Sequence, residues 1–245
     1  MKKFIVSEWN DSKLLFRNIP SIIIVIFVVS VVAMNILAGK TIYSGRFLAL
    51  DGGFLISWIS FLTMDIITKY YGPKASTKLS ILAILVNLFT CLVFYIVSII
   101  PTENPADAAF NTVIGGTWFV LMSSTIAFFL SAIINNLLNW WIGKLFKDNK
   151  HPKIEFYCRS YVSTFIGQFC DNFIFSVLAF MVFFPMFQGW GWTFIQTFMC
   201  SLVGAACELA AEILFSPLGY RIVRKWQKEN VGEAYFRSKQ NEGAN

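Results

Sequence analysis

Residues 79–100 read LSILAILVNLFTCLVFYIVSII, an apolar run between Lys78 and Pro101 with no charged residue. About 20 such residues, rising 1.5 Å each, cross the roughly 30 Å of hydrocarbon in a bilayer as one helix. A soluble core helix has no use for that length without a charge. The run therefore reads as a transmembrane helix, and Pro101 stops it.

Five further blocks of the same kind flank it. The first runs from Pro20, where a missing N–H costs nothing at a helix start, to Gly39. The second follows the turn Asp51-Gly52-Gly53 and ends at Tyr71 before Gly72-Pro73. A fourth, 112–146, is long enough to need tilt or a cytoplasmic extension carrying Trp140 and Trp141. The fifth covers 160–184 before Pro185, and the sixth covers 193–217, continuing at the interface through Arg221 and Trp226. The expected architecture is all-α and polytopic, with six transmembrane helices that can divide three plus three. Residues 1–19 are expected as a cytoplasmic N-terminal segment, 20–226 as the membrane domain, and 227–245 as a polar cytoplasmic tail that frays. The first block is too long for a signal-peptide core and is expected to be retained.

Composition agrees. Of 245 residues, 56% are hydrophobic and only 14% charged, with a mean hydropathy of +0.62. So little polar surface cannot coat a soluble globule. The longest polar connection, about Lys144 to Arg159, is too short for a soluble catalytic or nucleotide-hydrolysing domain. The net charge of +6 is an orientation signal: all the Lys and Arg except Lys40 and Arg46 fall on one side of the six-span plan. That puts both termini in the cytoplasm and argues against nucleic acid as a partner. The five cysteines form no CxxC pair, His151 stands alone in a loop, and no HExxH, GxSxG or P-loop is present. No metal or cofactor is expected, nor an enzyme.

Ionisable groups inside a span cost about 2.5 to 3.5 kcal/mol at the bilayer centre, so each needs a reason. Helix two keeps Asp65, helix five Asp171, and helix six Glu208 and Glu212, one turn apart. Two such acids in low dielectric should not both ionise, so one takes a proton or meets a cation. Arg159, Ser163, Gly167, Asp171 and Phe175 recur every four residues and line one stripe of helix five, with Gln168 and Asn172 on its edge. Ser124, Ser131, Asn135 and Asn139 make a comparable stripe on helix four. Asn35, Asn87 and Asn136 read as packing glue between helices. For Asp65 a structural pairing with Lys69 or Arg159 stands beside a functional role.

Two segments carry a family resemblance. Residues 61–75, FLTMDIITKYYGPKA, and 159–175, RSYVSTFIGQFCDNFIF, resemble the helix-two and helix-five signatures of the VUT family, the vitamin uptake or queuosine precursor transporters. The six-span plan and the Pro-ended last helix extend the resemblance over about residues 20–226. It implies a multi-pass protein of the bacterial inner membrane that takes up cyano- or aminomethyl-deazaguanine bases. One departure stands out: many members carry a Lys in helix six about where this chain has Cys207 or Glu208, an acid in place of a base. A guanine-like edge presents two adjacent N–H donors that one carboxylate can accept, while amides meet the ring carbonyl. Asp171 is the candidate acceptor and Gln168 and Asn172 its amide partners, with Asn139 or Asn135 completing the site from helix four. Asp65 is expected as a second acid or a gate partner of Arg159, Ser163 as a member of the stripe, and Glu208 as a site for a coupling proton. The expected partners are the small molecule, membrane lipid and a second copy of the chain through the small residues of helix six. The rival reading is a substrate-binding subunit docking on a separate ATP-driven vitamin importer.

Overall fold

The computed structural model describes residues 2–145 and 162–243. After an N-terminal helix α1 (Lys2–Asn18), α2 (Ser21–Leu37) starts behind Pro20 at an angle of 106° to α1. A small antiparallel hairpin, β1 (Thr41–Ser44) and β2 (Ala49–Asp51), leads into α3 (Phe54–Tyr71). Gly72, at φ +89°, reverses the chain into α4 (Pro73–Ser98), with Pro73 in the first turn where it lacks nothing. The expected fourth helix is two: α5 (Asp107–Gly115) and α6 (Thr117–Leu145), parted at Gly116. A Cβ on Gly116 would stand 2.6 Å from Gln188 Nε2, so glycine permits the close approach of that later segment.

Helix five does not stop before Pro185. It runs as α7 (Ser163–Ser176), widens into a π-helical stretch (Val177–Phe183), and continues as α8 (Phe184–Gln188). Pro185 offers no N–H and crowds the carbonyl four residues back. Widening the turn accommodates this, and the Phe184 N–H donates to the Ala179 carbonyl five residues back. Gly189, left-handed at φ +73°, closes the helix. Helix α9 (Phe194–Lys228) opens on a Thr193–Gln196 capping box and carries Pro217 inside it. The expected frayed tail is instead α10 (Glu233–Gly243). Its apolar Tyr235 and Phe236 find Tyr71: the Phe236 ring stacks on Tyr71 at 5.5 Å and Tyr235 meets it at 6.0 Å. Lys239 pairs with Asp11 at 2.7 Å, and Lys78 pairs with Asp11 and with Glu8. A polar average hid two aromatic anchors.

Among the described residues four helical stretches are long and apolar enough to cross a membrane: Pro73–Ser98, Asp107–Ser131, Phe165–Gln188 and Phe194–Phe215. The sharply bent pair of α1 and α2 meets the same measure only when taken together, which would raise the number to five. Helix α3 falls below that measure, because it buries Ser57, Ser60 and Thr63 and carries Asp65 and Lys69. It packs against α2 and α9, so protein rather than lipid covers its polar face. Ile22, Val29, Leu85, Phe89 and Leu214 stay largely exposed, an apolar girdle suited to acyl chains. The protein is an all-α polytopic membrane protein with a short hairpin between α2 and α3.

Two apolar clusters close the ends of the bundle. At the hairpin end Phe119, Phe180, Phe184 and Trp192 pack together, Phe180 stacking on Trp192 with centroids 3.8 Å apart. At the other end Leu15, Ile67, Tyr71, Leu79 and Trp226 do so, with the single Tyr70 O–H in reach of both the Val231 carbonyl at 2.7 Å and the Trp226 carbonyl at 3.0 Å.

Candidate functional site

Helices α3, α6, α7 and α9 meet in the middle of the bundle, and their small and polar residues leave a cavity there. Asp171 comes from α7, one turn before Phe175, and its Oδ1 accepts from the Ser131 hydroxyl of α6 at 2.8 Å. Asn172 follows on the same helix and its Nδ2 donates to Glu208 Oε2 of α9 at 3.2 Å. Glu208 is buried, 5% exposed. Gly204, one turn before it, leaves room for Asn172: a Cβ there would lie 2.9 Å from that amide nitrogen. Thus α7 and α9 are knit across the cavity by a hydrogen bond to a carboxylate, stronger than a neutral one.

The hairpin closes one side. Asp51 lines the same cavity and its Oδ1 accepts from the Gly53 and Phe54 N–H groups at 2.7 and 3.3 Å, capping the start of α3. Water centres can occupy about 80 Å³ of the space, room for several waters. Phe61 of α3 stands in its wall. Beyond Phe61 lie two more spaces. One, of about 140 Å³, is lined by Trp58, Asp65, Gln168 and Glu208. The other, of about 160 Å³, lies among α2, α3, α4 and α6 and shares Asn35, Phe61 and Asp171 with the first.

This geometry reorders the expected site. Asp171 and Asn172 share a cavity with Glu208. Gln168, expected beside Asp171, lines the neighbouring space with Asp65 instead, a space that Glu208 also lines, and its Oε1 is buried without a hydrogen-bond partner. Gln168 and Asn172 are four residues apart on α7, about 40° round the helix, so they share an edge, and Phe61 lines both of the spaces they face. Asp65 pairs with Lys69 at 2.6 Å, one of the two structural partners weighed for it. Arg159, its other candidate partner, lies outside the described residues, as does His151. Asn135, Asn139 and Ser163 sit in α6 and α7, but their side chains are outside the described set, as are those of Asn136 and Glu212.

Among the described residues no hydrogen bond ties Asn35 or Asn87 to another helix, although Asn87 Oδ1 accepts from the Cys91 thiol of its own helix. Both asparagines are buried, 3% and 2% exposed, and neither Nδ2 has a partner; both face the cavity between α2 and α4. Asn35, Asp51 and Phe61 are lining residues that sequence reading did not single out for the site. A polar residue late in an apolar helix was the only signal for Asn35, and Asp51 read as part of a turn.

No curated protein and no solved structure matches the chain. The sequence model of the family described as "Putative vitamin uptake transporter" matches residues 51–222, a stretch that runs from Asp51 at the end of the hairpin into α9 and takes in Asp51, Asp65, Asp171 and Glu208. With well over half of its length matched, and with buried acids and amides gathered between apolar spanning helices, the chain belongs to that family of transporters.

Proposed function

We propose that the chain imports a small planar heterocycle, a queuosine precursor of the cyano- or aminomethyl-deazaguanine type, across the bacterial inner membrane by alternating access. The observation that carries this reading is the cavity in which Asp171, Asn172 and Glu208 converge from α7 and α9. Asp171 accepts the adjacent N–H donors of a guanine-like edge, and Asn172 and Asn35 supply amides for its acceptors. Phe61 offers a ring face for stacking. The space as it stands is narrow, so entry of a bicyclic base moves Phe61 and merges two of the spaces it separates. Glu208 faces both the hairpin-side cavity and the space around Asp65, which suits a group exposed first to one side and then to the other.

In this reading α2, α3, α4, α5 with α6, α7 with α8, and α9 make six crossings, three plus three, with both termini in the cytoplasm. Exposed Ala206 and Ala210 on α9 offer the face for a homodimer. The test is uptake by purified protein in liposomes. Transport without any partner chain is expected, and a requirement for an ATP-driven module would favour the substrate-binding-subunit alternative. Asp171→Asn, in protein that remains folded, is expected to abolish binding and uptake; if both persist, the site is wrongly assigned.

A further inference from the structure

Among the described residues that line it, the cavity carries acids and no base. Asp171 and Glu208 place two carboxylates in it from facing helices, and no Lys, Arg or His is among the described residues that line it. The donors these two acids receive from described residues are neutral, the Ser131 hydroxyl and the Asn172 amide. Asp51 differs, because its charge meets the N-terminal N–H groups of α3. A second observation points to a missing occupant. Asn35 lines the same cavity, is almost wholly buried, and its Nδ2 has no acceptor. A buried donor without a partner is costly, and an uncompensated buried charge more so.

We infer that the cavity selects a substrate carrying a protonated amine beside a ring with a hydrogen-bond acceptor. The ammonium and the ring N–H edge are shared between Asp171 and Glu208, and the ring carbonyl accepts from Asn35 Nδ2. A neutral ring satisfies the hydrogen bonds but offers the two acids no cation, so at least one of them keeps a proton, whereas an ammonium lets both carboxylates ionise against it. This inference rests on the planar-heterocycle reading and narrows it: of two deazaguanines alike except at one substituent, the aminomethyl form, a cation at pH 7, is preferred over the neutral cyano form.

Titration calorimetry on the full chain in detergent at pH 7 and low salt, with each of the two bases, tests it. The aminomethyl base is expected to bind about tenfold or more tighter, the margin by which a charge-assisted hydrogen bond exceeds a neutral one. Equal binding, or tighter binding of the cyano base, overturns the charge selection and leaves the transporter reading intact. Binding of neither base overturns both. In Glu208→Gln the preference is expected to fall toward unity, and an undiminished preference in folded protein also overturns the inference. The wild-type comparison stands alone should that variant not fold.

Discussion

Substituting Gly204 by alanine probes the junction of α7 and α9 without replacing a polar side chain. A Cβ at this position stands 2.9 Å from Asn172 Nδ2 and 3.4 Å from its Cγ. The amide is the far end of a flexible side chain and can swing aside, but it is also the donor to Glu208, already at 3.2 Å. Little movement is available before that bond is lost. A hydrogen bond to a charged group contributes about 1.5–3 kcal/mol, while Gly→Ala in a helix interior returns about 1 kcal/mol. For folding the two effects largely offset, leaving a net loss of about 0.5–2 kcal/mol. Binding has no such compensation, since the ligand needs Asn172 and Glu208 held together, and Kd is expected to rise roughly ten- to hundredfold. Thermal unfolding and ligand titration on the same Gly204→Ala preparation separate the two quantities. Affinity within twofold of wild type, at nearly unchanged Tm, would refute the role given to the Asn172–Glu208 contact.

Other perturbations report on other parts of the bundle. Phe61→Ala joins the spaces on either side of that ring, so proteoliposomes are expected to leak preloaded substrate while the purified protein still binds it; tight, fully accumulating vesicles would show that Phe61 is no barrier. Asp65→Asn removes a partly exposed pair with Lys69 that contributes under about 1 kcal/mol, so Tm is expected to move little and uptake to fall far less than in Asp171→Asn; equal losses of uptake would place Asp65 on a par with Asp171. At the end of the bundle where α1 and α10 meet, burial by itself pushes the Asp11 carboxyl up, but the Lys239 and Lys78 ammoniums outweigh it and hold it below its usual range. A carboxylate held low contributes stability above its unfolded pKa of about 3.9 and loses it as pH falls through the lower folded value. Docking of α10 is therefore expected to persist at pH 5 and to weaken only below about pH 4. Asp11→Asn is expected to speed proteolysis within α10 at pH 7, and an unchanged cleavage rate would mean that the ion pairs do not hold the tail.

The membrane class of this protein was legible in residues such as 79–100, because the bilayer imposes length and apolarity on each span separately, a local constraint that a single segment displays. Asp171 and Glu208 stood out for the same reason, as charges where hydrocarbon is expected. The continuation of α7 through Pro185 depended on a π-helical stretch, and the docking of α10 on two aromatic side chains in a polar segment, so composition pointed the wrong way at both places.

What tertiary packing alone decided is who shares a cavity with whom. Helical periodicity places Gln168 and Asn172 on one edge of α7, yet Phe61 of α3 stands between the spaces they face, so Asn172 reaches Glu208 beside Asp171 while Gln168 faces Asp65. Asn35 became a candidate ligand donor only when its amide was found buried with no acceptor. Spacing along one helix determines a direction, but a cavity is bounded by several helices, and their relative rotation follows from the fit of side chains remote in sequence.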